Sequence, residues 1–189
     1  GDVNHSAARF DFAKLGWLNQ HYLKQGDPRE LGRGLAWHLE RRGLDVSRGP
    51  DPADVVLALR ERVQTLKAMA EQARVWYAPI AEWDDKAVNK YLRADGAVDV
   101  LRAARSRLAA LGSWSPEAIH AAIVELSAER GIGMGKVAQP LRVALTGTQV
   151  SPPIDQTVWL AGKDRTLQRI DDAIERVGGL HPPAPAAQA

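Results

Sequence analysis

The chain has 189 residues, 45% hydrophobic and 25% charged, with 25 lysines and arginines against 23 acids and no cysteine. A composition so close to the globular average excludes a disordered charged tail, a collagen-like chain and a disulfide scaffold. The missing cysteines exclude thiolate zinc sites, a cysteine nucleophile and redox pairs. No apolar run reaches the ~18 residues of a membrane span and no signal peptide opens the sequence, which fits a cytoplasmic setting.

The chain opens on Gly1 rather than methionine and reads as an excised fragment, with residues 1–11 as a lead-in from a preceding domain. Phe12, Leu15, Leu18, Tyr22 and Leu23 then recur at helical spacing and predict an amphipathic first helix. Asp27-Pro28 supplies an N-cap followed by proline at the first helical position. The helix it opens carries Leu31, Leu35 and Leu39 and stops at Gly43. Asp51-Pro52 repeats the start signal. From there Val55, Val56, Leu59, Val63, Leu66 and Met69 trace one apolar stripe, predicting a single long helix to about Trp76, ended by Pro79.

Further helices are expected over 84–93 and 98–111, then from the Ser115-Pro116 start up to Gly131. A short one over 137–145 has Pro140 placed in its first turn, and a last one over 162–177 has Gly178 as its stop. Nothing alternates with period two for long enough to make a strand. The predicted fold class is all-α, as two consecutive small helical bundles, residues 12–80 and 81–178. The Pro/Ala-rich residues 179–189 have little to bury and are expected to form a flexible tail.

The sequence offers almost no catalytic inventory. Gly131-Ile132-Gly133-Met134-Gly135-Lys136 has the wrong glycine spacing for a phosphate loop, lacks the Ser or Thr after lysine, and follows a helix; it reads as a helix-to-helix turn. The five histidines are scattered, and no His-x-x-x-His pair suggests zinc. Adjacent carboxylates such as Asp171-Asp172 diverge by ~100° on a helix and cannot share an acid/base site. Trp17, Trp37 and Trp76 fall on helices and are expected in bundle packing, whereas Trp83, Trp114 and Trp159 fall near turns, where a base could stack. Charge is uneven. Residues 101–150 hold six bases and three acids, while residues 51–100 hold seven bases and nine acids, so a polyanion is expected to meet the second half.

Three stretches carry a resemblance. Residues 8–23 contain Arg9-Phe10-Asp11, then Lys14-Leu15-Gly16-Trp17-Leu18-Asn19 and Tyr22. Residues 137–147 read Val-Ala-Gln-Pro-Leu-Arg-Val-Ala-Leu-Thr-Gly. Ser151-Pro152-Pro153 follows, then Gly162-Lys163-Asp164-Arg165 opening the last helix, with aspartate where glutamate is usual. In order and spacing these resemble the carboxy-terminal anticodon-binding region of bacterial glutamyl-tRNA synthetases, over about residues 7–177.

The resemblance implies a class I aminoacyl-tRNA synthetase that, at full length, attaches glutamate to tRNA(Glu) using ATP and Mg²⁺. The family's His-Ile-Gly-His-like and Lys-Met-Ser-Lys-Ser-like motifs are not in this sequence, so this chain alone is expected to be non-catalytic and to carry no cofactor. It implies a monomer whose partner is tRNA(Glu), with no membrane association. It implies anticodon contacts from Arg62, from Gln139 and Arg142, and from Ser151, Pro152 and Ile154. The composition leaves one alternative standing, a helical protein-interaction module without RNA binding.

Overall fold

A computed structural model of the chain describes residues 12–178; the lead-in segment 1–11 and the tail 179–189 lie outside the described residues. Among these residues there are ten α-helices and no strand. They are α1 Phe12–Gln25, α2 Pro28–Glu40, α3 Pro52–Leu59, α4 Leu66–Tyr77, α5 Asp85–Ala87, α6 Ala97–Ala109, α7 Pro116–Glu129, α8 Gly135–Thr146, α9 Ile154–Ala161 and α10 Lys163–Gly178. A π-helical turn, Val88–Leu92, continues α5. The residues group into two compact units. Of the described residues, one comprises 12–46 and 51–73; the other comprises 47–50 and 74–178.

The cap-plus-proline starts act as their chemistry dictates. The Asp27 carboxylate accepts from Arg29 N, that of Asp51 from Ala53 N, and the Ser115 hydroxyl from Ala118 N. Each satisfies a first-turn N–H that has no intrahelical acceptor. Gly43 and Gly131 adopt φ of +73° and +61° just past α2 and α7, the left-handed conformation that glycine adopts without a Cβ penalty.

In the first unit α2 packs on α3 through Gly32, whose missing Cβ leaves room for the backbone of Ala53. Leu31, Leu35, Leu39, Val55, Val56 and Leu59 are buried. The stripe from Val55 to Met69 is not one helix. It breaks over residues 60–65, where Arg62 N donates to Leu59 O and Thr65 Oγ1 caps α4 by accepting from Ala68 N at 3.0 Å. Val63 stays buried inside the turn, so the apolar period runs on while the helix does not. The apolar side of α1 is also not core: Leu15, Leu18 and Tyr22 are exposed, and only Leu23 among the side chains described from that stripe is buried. Periodicity identifies an apolar face without saying what covers it. Trp17 and Trp37, expected in bundle packing, are 63% and 51% exposed. Trp37 is covered on its face by the Arg41 guanidinium, 4.9 Å from the ring centroid.

The second unit is built around one core contributed by the π turn, α6, α7, α8, α9 and α10. Helix α9 is an element the sequence reading did not contain; its Ile154, Val158, Leu160 and Ala161 are buried. Asp171 of the adjacent carboxylates takes a bidentate bond from Arg105, while Asp172 accepts from Gln168. The two acids therefore diverge as their helical spacing requires. Helix α8 begins at Gly135, two residues earlier than expected, which moves Pro140 from the first turn to the second. There the proline ring leaves the Lys136 carbonyl without its i+4 donor.

Candidate nucleic-acid interface

The C-terminal half of α8 and the loop that follows bring several of the expected residues together. Gly147 ends the helix at φ +73°, its N–H bonding Val143 O. Its carbonyl in turn accepts from Asp84 N at 2.9 Å, which pins the start of the loop. Thr146 Oγ1 donates back to Arg142 O and accepts from Thr148 N. Thr148 Oγ1 then donates to Val150 O. These threonine bonds are local turns that replace helix bonds and hold residues 146–150 in one conformation. The loop surface is formed by exposed Thr148, Gln149, Val150 and Pro153.

Arg142 is half-buried, and its Nε donates to Ser151 Oγ at 2.8 Å. Ser151 Oγ lies 2.9 Å from Thr157 Oγ1 and 2.8 Å from Pro152 O. Thr157 is fully buried at the start of α9 and also bonds Pro152 O. Its own carbonyl accepts from Trp76 Nε1. The guanidinium plane of Arg142 is thus braced through Ser151 onto a buried hydroxyl. A fork fixed in this way is suited to a planar acceptor pair on a base or a phosphate.

The expected residues are not equivalent in this arrangement. Arg142, Ser151 and Pro152 form one cluster, but the Pro152 ring is buried. Ile154 is 5% exposed and belongs to the core, so its side chain anchors α9. Gln139, one helical turn before Arg142, lines a separate cavity with Lys136 and Pro140. Arg62 lies in the other unit, exposed on the turn between α3 and α4, rather than on a continuous helix. The sequence reading missed Thr157 and Thr146. A hydroxyl six residues after Ser151, in a run otherwise apolar toward the core, was the available signal for the first.

The tryptophans near turns also resolve. Trp114 donates Nε1–H to Trp159 O, and Arg176 stacks over Trp83 at 4.8 Å, so both lean on the second unit's core. Three of the six bases in residues 101–150 are paired with acids. Arg102 meets Asp99, Arg105 meets Asp171, and Arg107 meets Glu125 and Glu129. Arg130, Lys136 and Arg142 lie on α8 or on the connection before it.

A family model described as an anticodon binding domain matches residues 20–174. The chain belongs to this anticodon-binding domain family, which favours RNA binding over the protein-interaction alternative. Within it the chain is similar to glutamate–tRNA ligases. That of Xylella fastidiosa (strain M12) is 57% identical over 176 residues, covering 93% of this chain and 38% of the relative. That of Xanthomonas campestris pv. campestris (strain B100) is 57% identical over 177 residues, with 94% and 38% covered. The chain thus spans less than two fifths of the length of these curated relatives. Among solved structures, the glutamate–tRNA synthetase of Elizabethkingia anophelis aligns with TM-score 0.76 at 25% identity, covering 88% of this chain and 32% of that one. A glutamate–tRNA ligase of Elizabethkingia meningosepticum in complex with its amino acid has the same fold, with TM-score 0.79 at 24% identity and the same coverage.

Proposed function

We propose that this chain is the part of a glutamate–tRNA ligase that reads the anticodon of tRNA(Glu). The full-length protein would be a cytoplasmic monomer that joins glutamate to its tRNA using ATP and Mg²⁺. This chain contributes recognition and no reacting group. The described residues contain no group of three or more His, Cys, Asp or Glu that could hold a metal ion. Among them no helix is long and apolar enough to cross a membrane.

The observation that carries the reading is the braced Arg142, at the end of a helix and beside an exposed, hydrogen-bonded loop. Single-stranded loop bases are recognised by splaying them out and bonding their edges, which needs a donor of fixed direction. Arg142 supplies that donor, with Ser151 and the 148–153 backbone as its neighbours. Arg62 is assigned a second anticodon contact from the first unit, and Gln139, Pro152 and Ile154 supporting roles.

Arg142→Ala is expected to weaken binding of a glutamate-anticodon stem-loop by about 1–3 kcal/mol, the range for one well-placed base contact. Titration by fluorescence anisotropy at fixed salt measures it. A loss below about 0.5 kcal/mol would remove Arg142 from the interface.

A further inference from the structure

Beyond the Arg142 cluster the second unit holds a cavity of about 790 Å³ between the start of α6, the π turn and the Gly131–Gly135 connection into α8. Its walls divide chemically. Lys90, Arg130 and Lys136 bring three positive charges, against the single carboxylate of Asp95. Val100, Ile132 and Pro140 form apolar wall, and Tyr91 adds an aromatic ring with Lys90 Nζ 5.0 Å from its centroid.

Two helices also begin at this cavity. Helix α6 starts after Gly96, at φ +76°, and α8 after Met134; neither N-cap makes a side-chain hydrogen bond. Ala97 N, Lys136 N and Val137 N are already bonded to Ala94, Gly133 and Met134 carbonyls, so the two helix starts add their dipoles rather than free donors to the three cations. Gln139 lines the cavity, and its Oε1 is buried with no hydrogen-bond partner among the described residues. An unmade bond of this kind costs free energy, which a turn of the Gln139 amide toward a ligand's N–H would recover. Lys90 and Tyr91 are themselves presented by the π turn, in which Arg93 N reaches back five residues to Val88 O. Such turns are rare and are frequent at functional sites.

We infer that this cavity receives a nucleotide, its base against Tyr91 and Gln139 and its phosphate between Lys136 and Arg130. A bare phosphate leaves the apolar wall unused and a neutral aromatic leaves the cations unused; a nucleotide uses both. The nucleotide belongs to an RNA strand, an unstacked residue that enters while Arg142 engages its own base one helical turn away. This assignment rests on the reading of the chain as an RNA-binding domain.

The test titrates the chain, an Arg130→Ala/Lys136→Ala double variant and Tyr91→Leu with a glutamate-anticodon stem-loop and, separately, with free AMP. Salt is varied between about 50 and 200 mM, where phosphate contacts show as a slope. Thermal melting confirms that the variants fold. The expected result is a loss of stem-loop affinity of about tenfold or more in the double variant. Its salt slope should also fall by roughly 0.7 for each phosphate contact removed, as for single strands. Tyr91→Leu should lower affinity and leave the slope unchanged. AMP binding that the variants abolish, with unchanged stem-loop affinity, overturns the strand assignment and leaves a free nucleotide as the occupant. Unchanged binding of both probes overturns the site. Failure of the unaltered chain to bind the stem-loop overturns the anticodon reading instead, and AMP binding alone then decides the cavity.

Discussion

Gly147→Ala is expected to destabilise the second unit by about 2–5 kcal/mol. Two costs add. At φ +73° an L side chain is strained by roughly 1–2 kcal/mol. A Cβ there would also sit 2.7 Å from the Glu82 carbonyl oxygen and 2.8 Å from Ile80 Cγ2, distances real Cβ atoms do not show. Relief requires either Gly147 or the 80–82 segment to move, which breaks the bond from Asp84 N to Gly147 O and adds about 1–3 kcal/mol. Gly131→Ala separates the two costs, because Gly131 has φ +61° but nothing within 4 Å of an added Cβ. It should lose only the conformational part, about 1–2 kcal/mol. Urea unfolding of both variants measures the difference, and equal losses would contradict the close approach. Since Gly147 sets where the 148–153 loop begins, its alanine variant should also bind the stem-loop more weakly than Gly131→Ala does.

The second large effect is at Arg169, a buried guanidinium with no carboxylate bonded to it. It donates to Leu145 O at 2.6 Å, to Val75 O at 2.6 Å and to Ala78 O at 2.8 Å. These carbonyls belong to the ends of α8 and α4, where the last turn lacks intrahelical donors and the helix dipole is negative. One cation thus satisfies the tails of two helices. Arg165 does similar work, donating to Trp76 O and, at 2.6 Å, to Arg48 O. Burial and then the charge of Arg165 push the Arg169 pKa down to about 10, with Asp172 opposing. Because that value is below the unfolded one, the unfolded chain holds the extra proton only above about pH 10; at neutral pH both states are charged and this residue gives stability no pH dependence. Arg169→Met keeps the apolar stem and strips three carbonyls of their donor, that of Leu145 buried and those of Val75 and Ala78 half-buried. The expected loss is about 3–5 kcal/mol, from about 1–3 kcal/mol for the buried Leu145 carbonyl left without a donor and smaller shares for the two half-buried ones. Calorimetry or urea unfolding checks it, and a loss under about 1 kcal/mol would show that water replaces the guanidinium.

Much of this fold was legible because its helices announce their starts. Asp27-Pro28, Asp51-Pro52 and Ser115-Pro116 each combine an acceptor for a first-turn N–H with a residue that has none to satisfy, and each opens a helix. Helix α9 carries no such signal: its N-cap is Pro153, which makes no side-chain bond, and its eight residues are too few for a period to stand out. The break between α3 and α4 was hidden for the opposite reason, since buried Val63 keeps the stripe going through the turn. Thr65, three residues before the amide it caps, was the mark of a new start. Exposure of Trp17 and Trp37 was not readable at all, because an apolar face on a helix does not name what covers it.

At the candidate site the motif was readable in the sequence, but the surroundings of each of its residues were not. Gln139 and Arg142 stand one turn apart in a single motif, yet one lines the cationic cavity and the other is braced on Ser151. Helical spacing brings the two near each other; the surrounding elements, α6 and the π turn on one side and the 148–153 loop on the other, divide them. Ile154 shows the same limit, since a residue beside a loop can serve by anchoring the helix that follows.

The central claim is that this chain distinguishes one anticodon from others. The most direct measurement is competition, at moderate fixed salt, between a labelled glutamate-anticodon stem-loop and unlabelled stem-loops that differ only in the anticodon. The account predicts that the glutamate anticodon competes at least tenfold better, and that Arg142→Ala removes most of that advantage. Equal competition by unrelated anticodons would contradict it, leaving a basic surface that holds RNA without reading it.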